Sequence, residues 1–92
     1  MQKRQGEIIA IRSLEWLARD EDLMRGFLTA TGTDLAEVSE RAESPEFLAA
    51  VLDYLLSSDR NVTSFCEECG IPPEAPMAAR QLLPGGDSPH WT

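Results

Sequence analysis

Ser44-Pro45-Glu46-Phe47-Leu48-Ala49-Ala50-Val51-Leu52-Asp53-Tyr54-Leu55-Leu56 is the stretch on which the reading of the fold turns. It opens as a helix should: a capping hydroxyl, proline at the first helical position, then an acid at the positive end of the dipole. From Phe47 to Leu56 only Asp53 is charged. A helix apolar on nearly every side has to be surrounded by others, so this element is expected at the centre of a helical bundle. Its longest uninterrupted apolar run, Phe47 to Leu52, has six residues, far short of the roughly 20 a membrane span requires.

Moving outward, the same pattern occurs 38 positions earlier. Leu14 falls on Leu52, Leu17 on Leu55, Phe27 on Phe65 and Gly32 on Gly70, all identical. Ile9 meets Phe47, Glu15 meets Asp53, Trp16 meets Tyr54, and Asp20 meets Ser58. The spacing predicts a first helix from about Gln5 to Arg19. Ala10, Ile11, Leu14, Leu17 and Ala18 fill one arc, Ile9 and Trp16 form a second ridge, and Arg12, Glu15 and Arg19 form a narrow polar strip. Asp20 is expected to cap a second helix with Leu23, Met24, Phe27 and Leu28 inward, ended by Gly32. Thr33 or Asp34 starts a short third helix through Ala42, with Leu35 and Val38 inward and Asp34/Glu37 spaced for a capping box. Ser58 or Asp59 caps a fifth, carrying Val62, Phe65 and Cys66 and stopping at Gly70. Pro72 or Pro73 starts a sixth that ends before Pro84.

The reading is therefore an all-α compact bundle of five to six helices built as two similar three-helix halves. The repeat units run over about 7–42 and 45–83 of a single domain 1–84, followed by a flexible tail 85–92. One unit of about 35 residues buries too little surface to stand alone, so the inner helices Ile9–Ala18 and Phe47–Leu56 should clasp each other across an approximate two-fold. Chance alignment of two amphipathic hairpins is the competing account.

Charge narrows the function. Eight Lys and Arg oppose sixteen Asp and Glu in 92 residues, and residues 31–92 alone carry the net −8, with Arg41, Arg60 and Arg80 against eleven acids. The one basic cluster, Lys3-Arg4, lies at an end expected to fray. Without clustered cations there is nothing to neutralise phosphates, so DNA, RNA and anionic membranes are disfavoured as partners. The acidic surface serves solubility or a basic partner. Two cysteines are too few for a secreted disulfide scaffold, and Ile8 to Ile11 is too short for a signal peptide core, so a cytoplasmic protein is expected.

Cys66-Glu67-Glu68-Cys69 is the motif that invites chemistry. A redox pair needs a helix N-terminus or nearby cations to favour the thiolate; this pair sits at a helix C-terminus beside two carboxylates. Structural zinc needs four ligands, and one Cys pair with His90 closes a site only across a dimer. In the repeat, Cys66 takes the place of Leu28 and Cys69 that of Thr31, which makes Cys66 a small core hydrophobe. Metal binding or redox sensing by Cys66 and Cys69 is kept as the alternative. No nucleophile has a rigid base, since the single His lies in the tail, and no catalytic or cofactor-binding residue is assigned. Glu15 and Asp53 might meet near the pseudo-axis, although solvation is the simpler account. Trp16 and Tyr54 are expected in the core. Gly26 marks either a close helix crossing or a tolerated surface position, and Trp91 could anchor on a neighbour.

The runs Leu14-Glu15-Trp16-Leu17-Ala18, Phe27-Leu28 with Thr31-Gly32, Pro45 through Asp53, Phe65-Cys66 and Gly70-Ile71-Pro72-Pro73-Glu74-Ala75-Pro76 resemble a bacterial family of short acidic helical proteins, the domain of unknown function numbered 3572. The resemblance spans about residues 7–84 and implies a small cytoplasmic helical domain without bringing an activity; Cys69 lies outside its pattern. The function expected is a non-enzymatic protein-interaction or regulatory module, monomer or homodimer, without cofactor. Its partner would dock in grooves between the short outer helices.

Overall fold

The computed structural model describes residues 2–85, and their order is six helices: α1 Lys3–Ala18, α2 Glu21–Thr31, α3 Leu35–Arg41, α4 Pro45–Leu56, α5 Asp59–Cys69 and α6 Ala75–Gln81. No strand occurs among the described residues. The caps are made by the short polar residues that precede each element. Asp20 accepts from the N–H of Asp22 and Leu23, Ser44 from Phe47, and Ser58 from Asn61. Asp34 and Glu37 cap reciprocally, each carboxylate taking the other's backbone N–H at 2.9 and 3.2 Å. Both α2 and α5 end on glycines, Gly32 and Gly70, with φ of 68° and 66°. Only glycine adopts that left-handed turn without a Cβ penalty.

Two boundaries differ from expectation. The first helix begins at Lys3, because the Gln5 side chain takes the Gln2 N–H at 2.7 Å and holds the first turn, so Lys3-Arg4 is not frayed. The sixth helix begins at Ala75. Residues 72–75 form a turn closed by Ala75 N–H to Pro72 O at 3.0 Å, and Pro76 occupies the first helical turn, where its missing N–H costs nothing. The tail with His90 and Trp91 lies outside the described residues.

The core runs along α1 and α4. Leu17 from α1, Val51, Leu52 and Leu55 from α4, Phe27 from α2 and Phe65 from α5 are fully buried. The α1 helix packs on α4, α6 and α2, which is why it is apolar on more than one side. Ser13 is the one fully buried polar side chain of this core, and it is satisfied within its own helix by donating to Ile9 O at 2.8 Å. Asp53 and Glu15 do not meet. Asp53 holds Arg80 of α6 through two oxygens, at 2.6 and 3.3 Å, and Glu15 is exposed. Arg80 also donates to Pro84 O at 2.9 Å, which fastens the chain as it leaves α6.

Two aromatic contacts cross between α1/α5 and α2/α4. Trp16 meets Phe65 edge-on at 5.9 Å, and Phe27 meets Tyr54 edge-on at 5.7 Å. A shift of 38 converts one pair into the other. The third helices break the relation. The α6 helix is rich in small residues and lies against α1 and α4, whereas α3, which carries Glu37, Glu40 and Arg41, stays at the edge. Ala79 of α6 is fully buried; Arg41, its counterpart in α3, is exposed and reaches over the Phe47 ring. Leu35 departs from the sequence reading too. Val38 is buried, but Leu35 is 63% exposed.

Gly26 is at a close crossing. A Cβ on it would collide with Tyr54 Oη, whose ring is half-buried rather than enclosed. The next atom of that ring, Cζ, would be 3.5 Å away, an ordinary contact. Gly26→Ala should therefore destabilise by about 1 kcal/mol, the clash outweighing the gain in helix propensity. Tyr54→Phe, which removes a hydroxyl with no protein partner among the described residues, should be near neutral. Combining the two should exceed wild-type stability by about 1 kcal/mol, a coupling of about 2 kcal/mol in a urea-unfolding cycle. Additive losses would mean that the hydroxyl is not what excludes a side chain at Gly26.

Candidate functional site

The thiols of α5 are placed by the last turn of that helix. Cys66 faces inward and is buried; Cys69, one turn on, is half-buried, and the two are unbridged. Cys66 Sγ donates to Pro72 O at 3.6 Å across the turn after Gly70. Burial pushes its thiol above the ordinary value of 9.0, with Cys69 and Glu74 adding to the shift. The thiolate, the species that ligates metals and attacks electrophiles, is thus disfavoured at Cys66. Among the described residues no three His, Cys, Asp or Glu side chains cluster as a metal would need; His90 lies outside them.

Reactivity should follow this geometry. At pH 8 iodoacetamide should alkylate Cys69 at least about tenfold faster than Cys66, and urea should abolish the difference. The raised Cys66 value also sets a sign for pH. Below 9.0 both folded and unfolded thiols keep their proton and stability is full. Above it the unfolded chain ionises first, so stability declines with rising pH until the folded thiol ionises as well. Cys66→Ala should remove that alkaline component, as measured by Tm between neutral pH and pH 10.

The C-terminus of α5 is gripped from α1. Arg12 Nη2 donates to Cys69 O at 3.2 Å, a cation at the negative end of the helix, and Trp16 Nε1 donates to Glu68 at 2.9 Å. Beside the buried indole opens a cleft of about 350 Å³ whose walls include Asp20, Leu23, Arg60, Ser64 and Glu68. Ser64 is the counterpart of Gly26, and Trp16 that of Tyr54. Over Gly26 the tyrosine fills the space, whereas the tryptophan turns to Glu68 and leaves the position above Ser64 open. The cleft mixes both charge signs, Asp20 and Glu68 with Arg60.

On the α2–α3 side there is a groove of about 320 Å³ lined by Ala18, Glu21, Met24, Arg25, Leu28 and Leu35. Glu21, Met24, Arg25 and Leu28 occupy one face of α2, at the spacing that stacks side chains along a helix. Leu35 completes the lining from α3. The stripe Met24–Leu28 was legible as apolar, but the groove was not, because it exists only if α3 holds Leu35 away from the core. The one signal in the sequence is brevity: seven residues after a capping aspartate give two turns, enough to bury Val38 but not Leu35 as well.

A smaller groove of about 230 Å³ beside α5 is lined by Thr63, Cys66, Glu67, Ile71 and Pro73. Cys66 and Pro73 are the 38-residue counterparts of Leu28 and Leu35. No described helix is long and apolar enough to cross a membrane.

No curated protein and no solved structure matches the chain significantly. A family model described as "Protein of unknown function (DUF3572)" matches residues 3–86, nearly the whole chain and the span over which the quoted motifs occur, and the chain belongs to that family.

Proposed function

We propose that this chain is a non-enzymatic, cytoplasmic protein-interaction or regulatory module that binds its partner in the α2–α3 groove. The observation that carries the reading is Leu35, a large apolar side chain left 63% exposed beside the apolar face of α2. Exposing it costs on the order of 1–2 kcal/mol of burial that a covering partner would recover. The same reading takes the framework as a duplicated helical hairpin whose third helices diverged. The crossed pairs Trp16–Phe65 and Phe27–Tyr54 support it, and the divergence at α3 is what leaves the groove uncovered.

The test is site-specific photo-crosslinking in cells. A crosslinker replacing Leu35 should yield discrete protein adducts, while one replacing the exposed Thr63 of the groove beside α5 should not. Adducts of equal yield at both positions, or none at Leu35, would overturn the reading. So would turnover of a metabolite by the purified chain that persists in the Leu35→Asp variant.

A further inference from the structure

We propose that the occupant of the α2–α3 groove is the apolar face of a basic amphipathic helix from another protein. This rests on the interaction reading above and names the partner's chemistry. Three observations carry it.

The first is shape. Glu21 to Leu28 are eight residues of α2, about 10 Å along the axis. Ala18 and Leu35, from outside α2, complete the lining of the groove. A helix laid in it presents side chains at i, i+3 or i+4 and i+7 to a floor of matching length, the helix-in-groove mode of recognition.

The second is charge. Residues 20–46, which make α2, α3 and their links, hold eight acids against Arg25 and Arg41, a net −6 of the chain's −8. Asp20, Asp34 and Glu37 among them are engaged in helix caps, while Glu21, Asp22 and Glu40 are exposed. Asp22 is 91% exposed with only a 3.4 Å contact to Arg25, Glu40 is exposed, and Glu21 lies on the groove wall. A helix with Lys and Arg flanking an apolar stripe meets a segment whose net charge is of the opposite sign, although the groove lining itself holds both Glu21 and Arg25. A second copy of this chain would instead bring like charge onto like charge, and an anionic lipid surface is repelled in the same way.

The third is the contrast with the groove beside α5. The groove at Cys66 and Pro73 is smaller, and residues 58–75 around it carry a net −3, with Asp59, Glu67, Glu68 and Glu74 against Arg60. Its floor includes the Cys66 side chain, already engaged with Pro72 O. The two grooves thus differ in size and in field, and the α2–α3 one is favoured on both counts.

The experiment is an NMR titration of the full chain with two synthetic helical peptides that share leucines at i, i+3, i+4 and i+7. One has lysine and the other glutamate at the remaining positions. Shift changes from the lysine peptide should centre on Ala18, Met24, Leu28 and Leu35, with the glutamate peptide binding at least about tenfold more weakly. Affinity should fall as salt is raised, since much of the attraction is between exposed charges. Leu35→Asp should weaken the lysine peptide about tenfold while leaving the Tm unchanged, because Leu35 is exposed; Glu21→Lys should weaken it several-fold.

Equal binding of the two peptides, indifference to Leu35→Asp, or shifts centred on Thr63, Cys66 and Pro73 would overturn the proposal. So would a dimer in sedimentation that Leu35→Asp dissolves, which would make a second copy the occupant. If neither peptide binds while crosslinking from Leu35 still yields adducts, the basic helix is wrong and the interaction reading stands. If both experiments fail, both readings fall.

Discussion

Phe27→Ala is expected to weaken the fold by about 3–5 kcal/mol at 25 °C. Phe27 is fully buried and its ring is edge-on to two others, Phe47 and Tyr54, each at 5.7 Å. Truncation removes the ring's transfer free energy and opens a cavity between α2 and α4, at a cost of about 3–5 kcal/mol. A chain of this length has a total stability of about 5–14 kcal/mol, so the loss takes at least about a fifth of it. A 38-residue shift aligns Phe65 with Phe27, and on sequence grounds the two alanine variants should behave alike. The structure distinguishes them. Phe65 has a single aromatic partner, Trp16 at 5.9 Å. An edge-on pair adds about 0.5–1.5 kcal/mol beyond burial, so Phe65→Ala should cost about 1 kcal/mol less than Phe27→Ala. Urea denaturation of both variants measures the difference. Equal losses would mean that the Phe47 contact adds nothing.

Ala79→Leu is the second substitution with a large expected effect. Ala79 is fully buried, and α6 crosses α1 so closely that a Cβ on Gly6 would stand 3.1 Å from Ala79 O and 3.2 Å from Leu82 Cδ1. Gly6, Ala10 and Ser13, all buried, lie four and three residues apart along α1, a stripe of small side chains on which another helix can ride close. Three added carbons have no space to enter, and overpacking costs about 1–3 kcal/mol. Tm should fall by about 4–8 °C for each kcal/mol. Hydrogen exchange should show the α6 amides losing protection before those of α4, since displacing α6 also pulls Arg80 from Asp53 and from Pro84 O. Met77→Leu on the same helix is the control: Met77 is 52% exposed, and its Tm should not change. If Ala79→Leu left Tm and α6 protection intact, α6 would not be packed against α1 as described.

The caps and stops were legible because each is a local transaction. Ser44, Ser58 and Asp34 satisfy backbone N–H groups within three residues, and Gly32 and Gly70 supply a turn that other residues resist; no distant part of the chain is consulted. Burial along α4 was legible for a related reason, since a helix with one charge in its last ten residues has nowhere to lie but inside. The 38-residue register aligned Trp16 with Tyr54 and Phe27 with Phe65, but the contacts Trp16–Phe65 and Phe27–Tyr54 came only with the tertiary structure. Where Glu15, Asp53, Leu35 and Tyr54 ended up could not be read from the sequence either, because each depends on a neighbour supplied from elsewhere in the chain.

By itself, then, the sequence determined an all-α chain of five to six helical segments, their starts and stops to within a few residues, and the inner position of α1 and α4. These follow from hydrogen bonds and apolar periodicity that act over one or two turns. Only the tertiary structure decided that α6 lies against α1 and α4 while α3 stays at the rim, and with it the exposure of Leu35 and the groove beside it. The reason is steric and electrostatic: small side chains let α6 approach the backbone of α1, whereas the charged face of α3 keeps its contact with water, and neither outcome exists until the helices are brought together.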